Sequence, residues 1–217
     1  MQHATRQKTK AALIRAAERL FAERGLGSVS VRDVTRAAGA RNESAVHYHF
    51  GGMEALIREV FADRYREIER TRLARIADMD AAAQDRDIEL LMEAAVGPLF
   101  EACLEGDGRL YARFCVQICT DPRFDVAELV RDTGMESATL IRDRVSASLE
   151  DVPPDMLIAR LRQLFTISIV LVADYARLVE AGTAPPAGEA AREAAVSLAG
   201  FLRAKPAAPD AVARPVS

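Results

Sequence analysis

Apolar residues recur along the chain mainly at three- and four-residue spacing, the mark of one-sided helices. Within residues 5–24, Leu13, Ile14, Ala17, Leu20 and Phe21 share a face, and Gly25 stands where a helix end favours glycine. A short connector, 26–28, leads to Ser30, which with Asp33 three residues on has the form of a capping box. The second helix carries Val31, Val34 and Ala38 and stops at Gly39. After residues 40–41, Asn42 offers another N-cap. A third, short helix then buries Val46 and Phe50 and turns Asn42, Ser44, His47, Tyr48 and His49 outward. Gly51–Gly52 ends it. A fourth helix over 53–78 presents Leu56, Val60, Phe61, Tyr65 and Ile68 as a stripe.

Beyond residue 79 the pattern predicts helices over 85–105, kinked at Gly97–Pro98, then 109–120, 126–149, 155–181 and 189–202. Residues 182–188 read as a Pro/Ala loop. The tail 205–217 holds three prolines, buries little and should fray. No strand or internal repeat is evident. The expected class is all-α: a three-helix head in 1–55, a larger helical body in 56–204, and a flexible tail in 205–217.

Composition adds to this. The chain has 217 residues, 50% hydrophobic and 28% charged, an ordinary globular balance that excludes a disordered chain or a disulfide mini-protein. Aromatics are 6% and Trp is absent, which favours helix over sheet. Three cysteines suit a reducing compartment, and the polar, basic start lacks a signal peptide's apolar core. The longest apolar stretch, 164–173, is short of the roughly 20 residues that cross a bilayer. A cytoplasmic protein without a membrane segment is expected.

The net charge of -3 conceals an asymmetry. Residues 1–50 hold 9 Lys and Arg against 4 acids, a surplus of +5, leaving -8 on the remainder. A basic head on an acidic body points to a polyanion that touches the head alone. Two short helices joined by a tight glycine turn behind a packing helix have the pattern of a helix-turn-helix. The second must be narrow and polar on one side, because it enters a major groove about 12 Å wide. Ser44, Ala45, His47, Tyr48 and His49 supply that side.

The stretches Phe21-Ala-Glu-Arg-Gly25, Ser30-Val-Arg-Asp-Val-Thr-Arg-Ala-Ala-Gly39, Ala45-Val-His-Tyr-His-Phe50-Gly and Glu54-Ala-Leu56 resemble the TetR family of bacterial transcriptional regulators. The likeness covers about residues 8–60. It implies an all-helical homodimer with a DNA-binding head, an effector-binding body and a dimer interface made by the last two helices. By position it implies a phosphate-binding hydroxyl at Ser30 and a base- or phosphate-contacting Arg32. Ser44 and Ala45 would approach base edges, and His47, Tyr48 and His49 would grip phosphates. Between Gly39 and Phe50 this chain is one residue longer than the commonest pattern, so Arg41, Asn42 and Glu43 have no unique alignment; Arg41 and Asn42 are kept as candidate DNA contacts. Met53 stands where the family usually has a lysine, either forgoing one phosphate contact or turned inward as packing.

In the body, Phe100, Tyr111, Phe114, Gln117, Phe165 and Tyr175 are candidate pocket residues for a small-molecule effector. Leu161, Leu164, Phe165, Ile169, Val172, Leu198, Phe201 and Leu202 are candidate dimer contacts across a two-fold axis. Cys115 and Cys119 share a helix face and Cys103 precedes them, which raises a thiol- or metal-responsive alternative. Every histidine lies in the head, however, so no metal or other cofactor is expected. No phosphate loop, HExxH, GxSxG or Cys–His pair suggests an enzyme. A non-specific architectural DNA binder would have no use for the acidic body. The resulting expectation is a homodimeric repressor released from a palindromic double-stranded operator by a small molecule.

Overall fold

The computed structural model describes residues 2–40, 42–104, 106–134 and 136–205, with side chains from Arg6 onward. The candidate contact Arg41 and residues 206–217 of the expected tail lie outside the described residues. Ten α-helices follow one another with no strand among the described residues. They are α1 (Gln2–Arg24), α2 (Val31–Ala37), α3 (Ala45–Phe50), α4 (Met53–Ala81), α5 (Ile88–Ala102), α6 (Gly108–Thr120), α7 (Val126–Asp132), α8 (Glu136–Ser148), α9 (Pro154–Ala181) and α10 (Ala187–Arg203). A 3-10 turn, Leu26–Ser28, links α1 to α2.

The first three helices close on a small core of Leu13, Ala17, Leu20, Phe21, Val34 and Val46, with the start of α4 beneath it at Leu56 and Ile57. Helix α4 has 29 residues, about 43 Å at 1.5 Å per residue. It therefore leaves the head and runs on into the body without a break. There α5 is the central element, buried from Ala94 through Phe100. Its main neighbour is α10. The inner face of α10 is chiefly alanine (Ala187, Ala191, Ala194, Ala195, Ala199), and so little side chain lets two backbones approach closely.

Polar groups pin α4 to its neighbours. Glu69 caps the start of α8, accepting from the Ser137 N–H at 2.8 Å and its hydroxyl at 2.5 Å. Arg72 Nε donates to the Ala95 carbonyl at 2.7 Å and its Nη1 to the Tyr65 hydroxyl at 3.2 Å. Pro98 sits inside α5, where it lacks the N–H that would bond four residues back. The helix runs on through it, in a stretch where Arg72 and Arg75 reach carbonyls of the preceding turn.

Two sequence expectations are corrected. The expected helix over 126–149 is two, α7 and α8, parted near Gly134, whose φ of +93° no other residue adopts cheaply. The amphipathic period continues across the break, so periodicity alone missed it. Asn42 does not cap α3. Ser44 occupies the N-cap, and the Asn42 side chain accepts from the Ser44 N–H at 2.9 Å, a local turn ahead of the helix.

Candidate nucleic-acid interface

The geometry of the head follows from three stops. Helix α2 begins at a complete capping box: Ser30 accepts from the Asp33 N–H, and the Asp33 carboxylate accepts from the Ser30 N–H and hydroxyl. Those hydrogen bonds hold the Asp33 carboxyl below its ordinary range. Helix α2 ends at Gly39, whose φ of +66° reverses the chain, with the Ala40 N–H returning to the Thr35 carbonyl at 2.9 Å. Helix α3 ends at Gly51, also left-handed at φ +85°. Only Val46 of α3 is fully buried, with Phe50 half-buried beside it.

The opposite side of α3 is open. Ser44 and His47 are exposed, and Tyr48 is 66% exposed, a large aromatic ring standing in solvent. The ring is held, not loose. Arg6 of α1 lies over it at 5.2 Å, and the His49 ring meets it edge-on at 5.1 Å. Lys10 covers the Phe50 ring at 5.7 Å while pairing with Glu59 at 3.0 Å. Partial burial, then the charges of Arg6 and Lys10, push the His49 pKa down. That favours a neutral ring at neutral pH, able to donate one N–H to a phosphate but carrying no charge of its own.

Among the candidate contacts, Arg32, Asn42, Ser44, His47 and Tyr48 are each exposed, while Ala45 and His49 are half-buried. Ser30 is exposed, yet its hydroxyl is committed to the capping box, so a phosphate must share it. Met53 is half-buried against the head's core, the packing alternative of the two. Sequence reasoning missed Arg6 and Lys10. The signal was present in the basic residues that open α1, but their position beside α3 depends on how α1 packs.

The six body residues expected to form one pocket do not converge. Tyr111 donates to the Phe61 carbonyl at 3.0 Å and borders a cavity of about 130 Å³ shared with Arg64, Glu67, Thr71 and Glu101. Phe100 and Tyr175 touch at 5.1 Å and line an open cleft of about 520 Å³ between α9 and α10. Phe165 is half-exposed on α9. Phe114 and Gln117 instead join body to head. Phe114 stacks on Phe21 at 5.9 Å, and Gln117 accepts from the Leu26 N–H at 2.9 Å and donates to the Phe21 carbonyl at 2.8 Å. Both were read as pocket residues because an aromatic and an amide on an amphipathic helix look the same facing a ligand or a neighbouring helix.

The predicted dimer contacts also need correction. Leu164, Ile169, Val172, Leu198 and Leu202 are 8% exposed or less and belong to the subunit's own core. Leu161, Phe165 and Phe201 remain half-exposed. The apolar side chains that stand open are Ile158 at 61%, Val170 and Val196 at 52% and Leu178 at 36%. Helix α9 contains an 18-residue window of mean hydropathy 1.7, of which 28% is buried, so by length and composition it could cross a membrane. Counting uninterrupted apolar residues understated it. Its uncharged run, 163–173, is bracketed by Arg162 and Asp174 and spans about 16 Å, roughly half a bilayer's hydrocarbon core.

Burial raises all three thiols, Cys103 and Cys119 to about 11 and Cys115 well above its ordinary value, so few thiolates form at neutral pH. Among the described residues no three His, Cys, Asp or Glu side chains are grouped to hold a metal.

A family model described as bacterial regulatory proteins, tetR family, matches residues 13–60. A second, described as tetracyclin repressor-like, C-terminal domain, matches residues 93–204. Similar solved structures include a probable transcriptional regulatory protein, RHA5900, 19% identical over 82% of this chain and 100% of that one, with a TM-score of 0.48. Salmonella enterica GusR is 18% identical over 90% of this chain and 96% of its own, with a TM-score of 0.47. A putative transcriptional regulator from Rhodococcus sp. RHA1 is 22% identical over 90% and 98%, with a TM-score of 0.42. No protein of curated function matches the chain.

Proposed function

Because this chain belongs to the tetR family of bacterial regulatory proteins, we propose that it is a homodimeric, ligand-responsive repressor of a palindromic operator. The observation that carries the DNA-binding part is the open side of α3. Tyr48 stands 66% exposed beneath Arg6, at the edge of a head whose residues 1–50 carry a surplus of five positive charges. Its phenolic hydroxyl can donate to an acceptor lying against α3, and the cations around it favour an anionic one. Phosphate oxygens suit Tyr48, Arg6 and His47, and base edges suit Arg32, Asn42 and Ser44.

Ligand response is supported by the joint between head and body. Helix α4 is common to both, and α6 grips the end of α1 through Phe114 and Gln117. A small molecule that shifts α6 or α4 moves the head, provided that it binds one arrangement better than the other. Two heads must sit about 34–36 Å apart to fit successive major grooves, so a small rotation in the body suffices to release DNA.

Selection from a random duplex library by the purified protein tests the reading. The expected outcome is a two-fold symmetric site. Tyr48→Phe should then weaken binding to every sequence by a similar factor, because a phosphate contact positions the head and reads no base. Failure to select any sequence would remove the operator from the proposal, and a changed base preference in Tyr48→Phe would displace Tyr48 from the backbone.

A further inference from the structure

Glu43 lies two residues before α3, exposed, and its Oε1 is 3.2 Å from Nε of Arg32 on α2. The two side chains are 71% and 70% exposed. An ion pair so open to water contributes little to folding. The head as a whole is basic, and Arg6, Lys8, Arg24 and Arg36 are all exposed. Asp33, the acid on α2, is spent on Ser30 in the capping box. Glu43 by contrast holds a cation that sits on the DNA-facing side of the helix pair.

To a carboxylate, a DNA duplex offers little but repulsion. Phosphates are anionic, and guanine O6 and N7, adenine N7 and thymine O4 are all acceptors. The major-groove donors are the amino groups of cytosine and adenine, and a carboxylate's usual partner is cytosine N4. Arg32 has the complementary preference, for any phosphate or for guanine O6 and N7.

We propose that Glu43 is a specificity-determining residue of the head: it holds Arg32 away from the phosphates of arbitrary DNA and, on the operator, accepts an amino hydrogen from cytosine N4. The proposal rests on the reading of α3 as the groove-facing helix. Where no cytosine amino group lies within reach of Glu43, the carboxylate keeps Arg32, and the head forgoes one phosphate neutralisation. Where a cytosine meets Glu43 the pair opens, and Arg32 is freed for a neighbouring guanine or phosphate. Discrimination thus comes as much from weakened wrong binding as from improved right binding.

The test compares wild type with Glu43→Gln, Glu43→Ala and Arg32→Ala/Glu43→Ala, by duplex selection and by titration of non-cognate DNA at several salt concentrations. Wild type should select a cytosine at one position in each half-site. Glu43→Gln should shift that position toward adenine, the base whose N6 and N7 an amide matches, and Glu43→Ala should lose preference there. Both single variants should bind non-cognate DNA roughly threefold more tightly or better, with the salt slope steeper by about 0.9 per head as Arg32 reaches phosphate. With Arg32 also replaced, the slope should not steepen. Thermal unfolding should be unchanged throughout, because both side chains are exposed. If wild type selects no sequence, the operator reading fails and this inference fails with it. If wild type selects a site but Glu43→Gln keeps the same base and the same slope, this inference alone is overturned.

Discussion

At 2% exposure, Glu18 keeps its carboxylate in the seam between α1 and α4, where the Arg64 guanidinium meets it at 3.3 Å. Burial is the largest influence and pushes its pKa above the ordinary 4.5, with Arg64 pulling the other way and Asp107 and Asp63 adding to the rise. A carboxyl raised in the fold binds its proton more readily there than in the unfolded chain. Stability linked to it therefore rises as pH falls through the window just above 4.5 and is lost as pH climbs out of it. Glu18→Gln keeps an acceptor for Arg64 and removes the desolvated charge. The variant should be more stable than wild type near pH 8, by on the order of 1 kcal/mol, with the advantage vanishing toward pH 4. Urea midpoints at the two pH values check this; a variant less stable at pH 8 would mean that the ion pair outweighs its burial. Nothing in the sequence pointed here. Glu18 falls on the flank of an amphipathic helix where a solvated acid is the ordinary expectation, and only the approach of α4 makes it interior.

Among the elements, the best-read were those whose ends are written in local chemistry. The Ser30–Asp33 capping box, the stop at Gly39 and the Gly51–Gly52 break are satisfied within a few residues, so the spacing sufficed to place α2, α3 and the start of α4. The break at Gly134 and the partners of α6 depend on tertiary contacts that no period encodes. Gln117 illustrates the second kind. Its amide bonds the last turn of α1 and the connector beyond it, across 96 and 91 positions of chain. Gln117→Ala leaves the partly buried Leu26 N–H without that acceptor, a loss of about 1–3 kcal/mol. A fall of roughly 2–12 °C in melting temperature should follow in a chain of this size. Hydrogen exchange should quicken at Leu26 while amides of α5 and α10 keep their protection. Equal loosening everywhere would show that Gln117 supports the whole fold and not the joint.

At the scale of the whole molecule, the question is what covers the open side of α9 and α10. Val170 and Val196 are each 52% exposed, on helices whose other faces are already filled by Leu164, Ile169, Leu198 and Leu202. A second copy related by a two-fold axis would cover both at once, since the same patch meets itself. The choice of test residue matters. Leu198→Asp would place a charge at a site 2% exposed and unfold the subunit, which says nothing about association. Val170→Asp puts the charge where the lone subunit already meets water, so the monomer tolerates it while a self-meeting interface brings two carboxylates together. Wild type should sediment as a dimer and Val170→Asp as a folded monomer with an unchanged circular dichroism spectrum. Affinity for the selected operator should drop about a hundredfold or more, because the second half-site is no longer held at high effective concentration, while binding to a single half-site stays the same. A Val170→Asp protein that remains dimeric with full operator affinity would move the interface off this face.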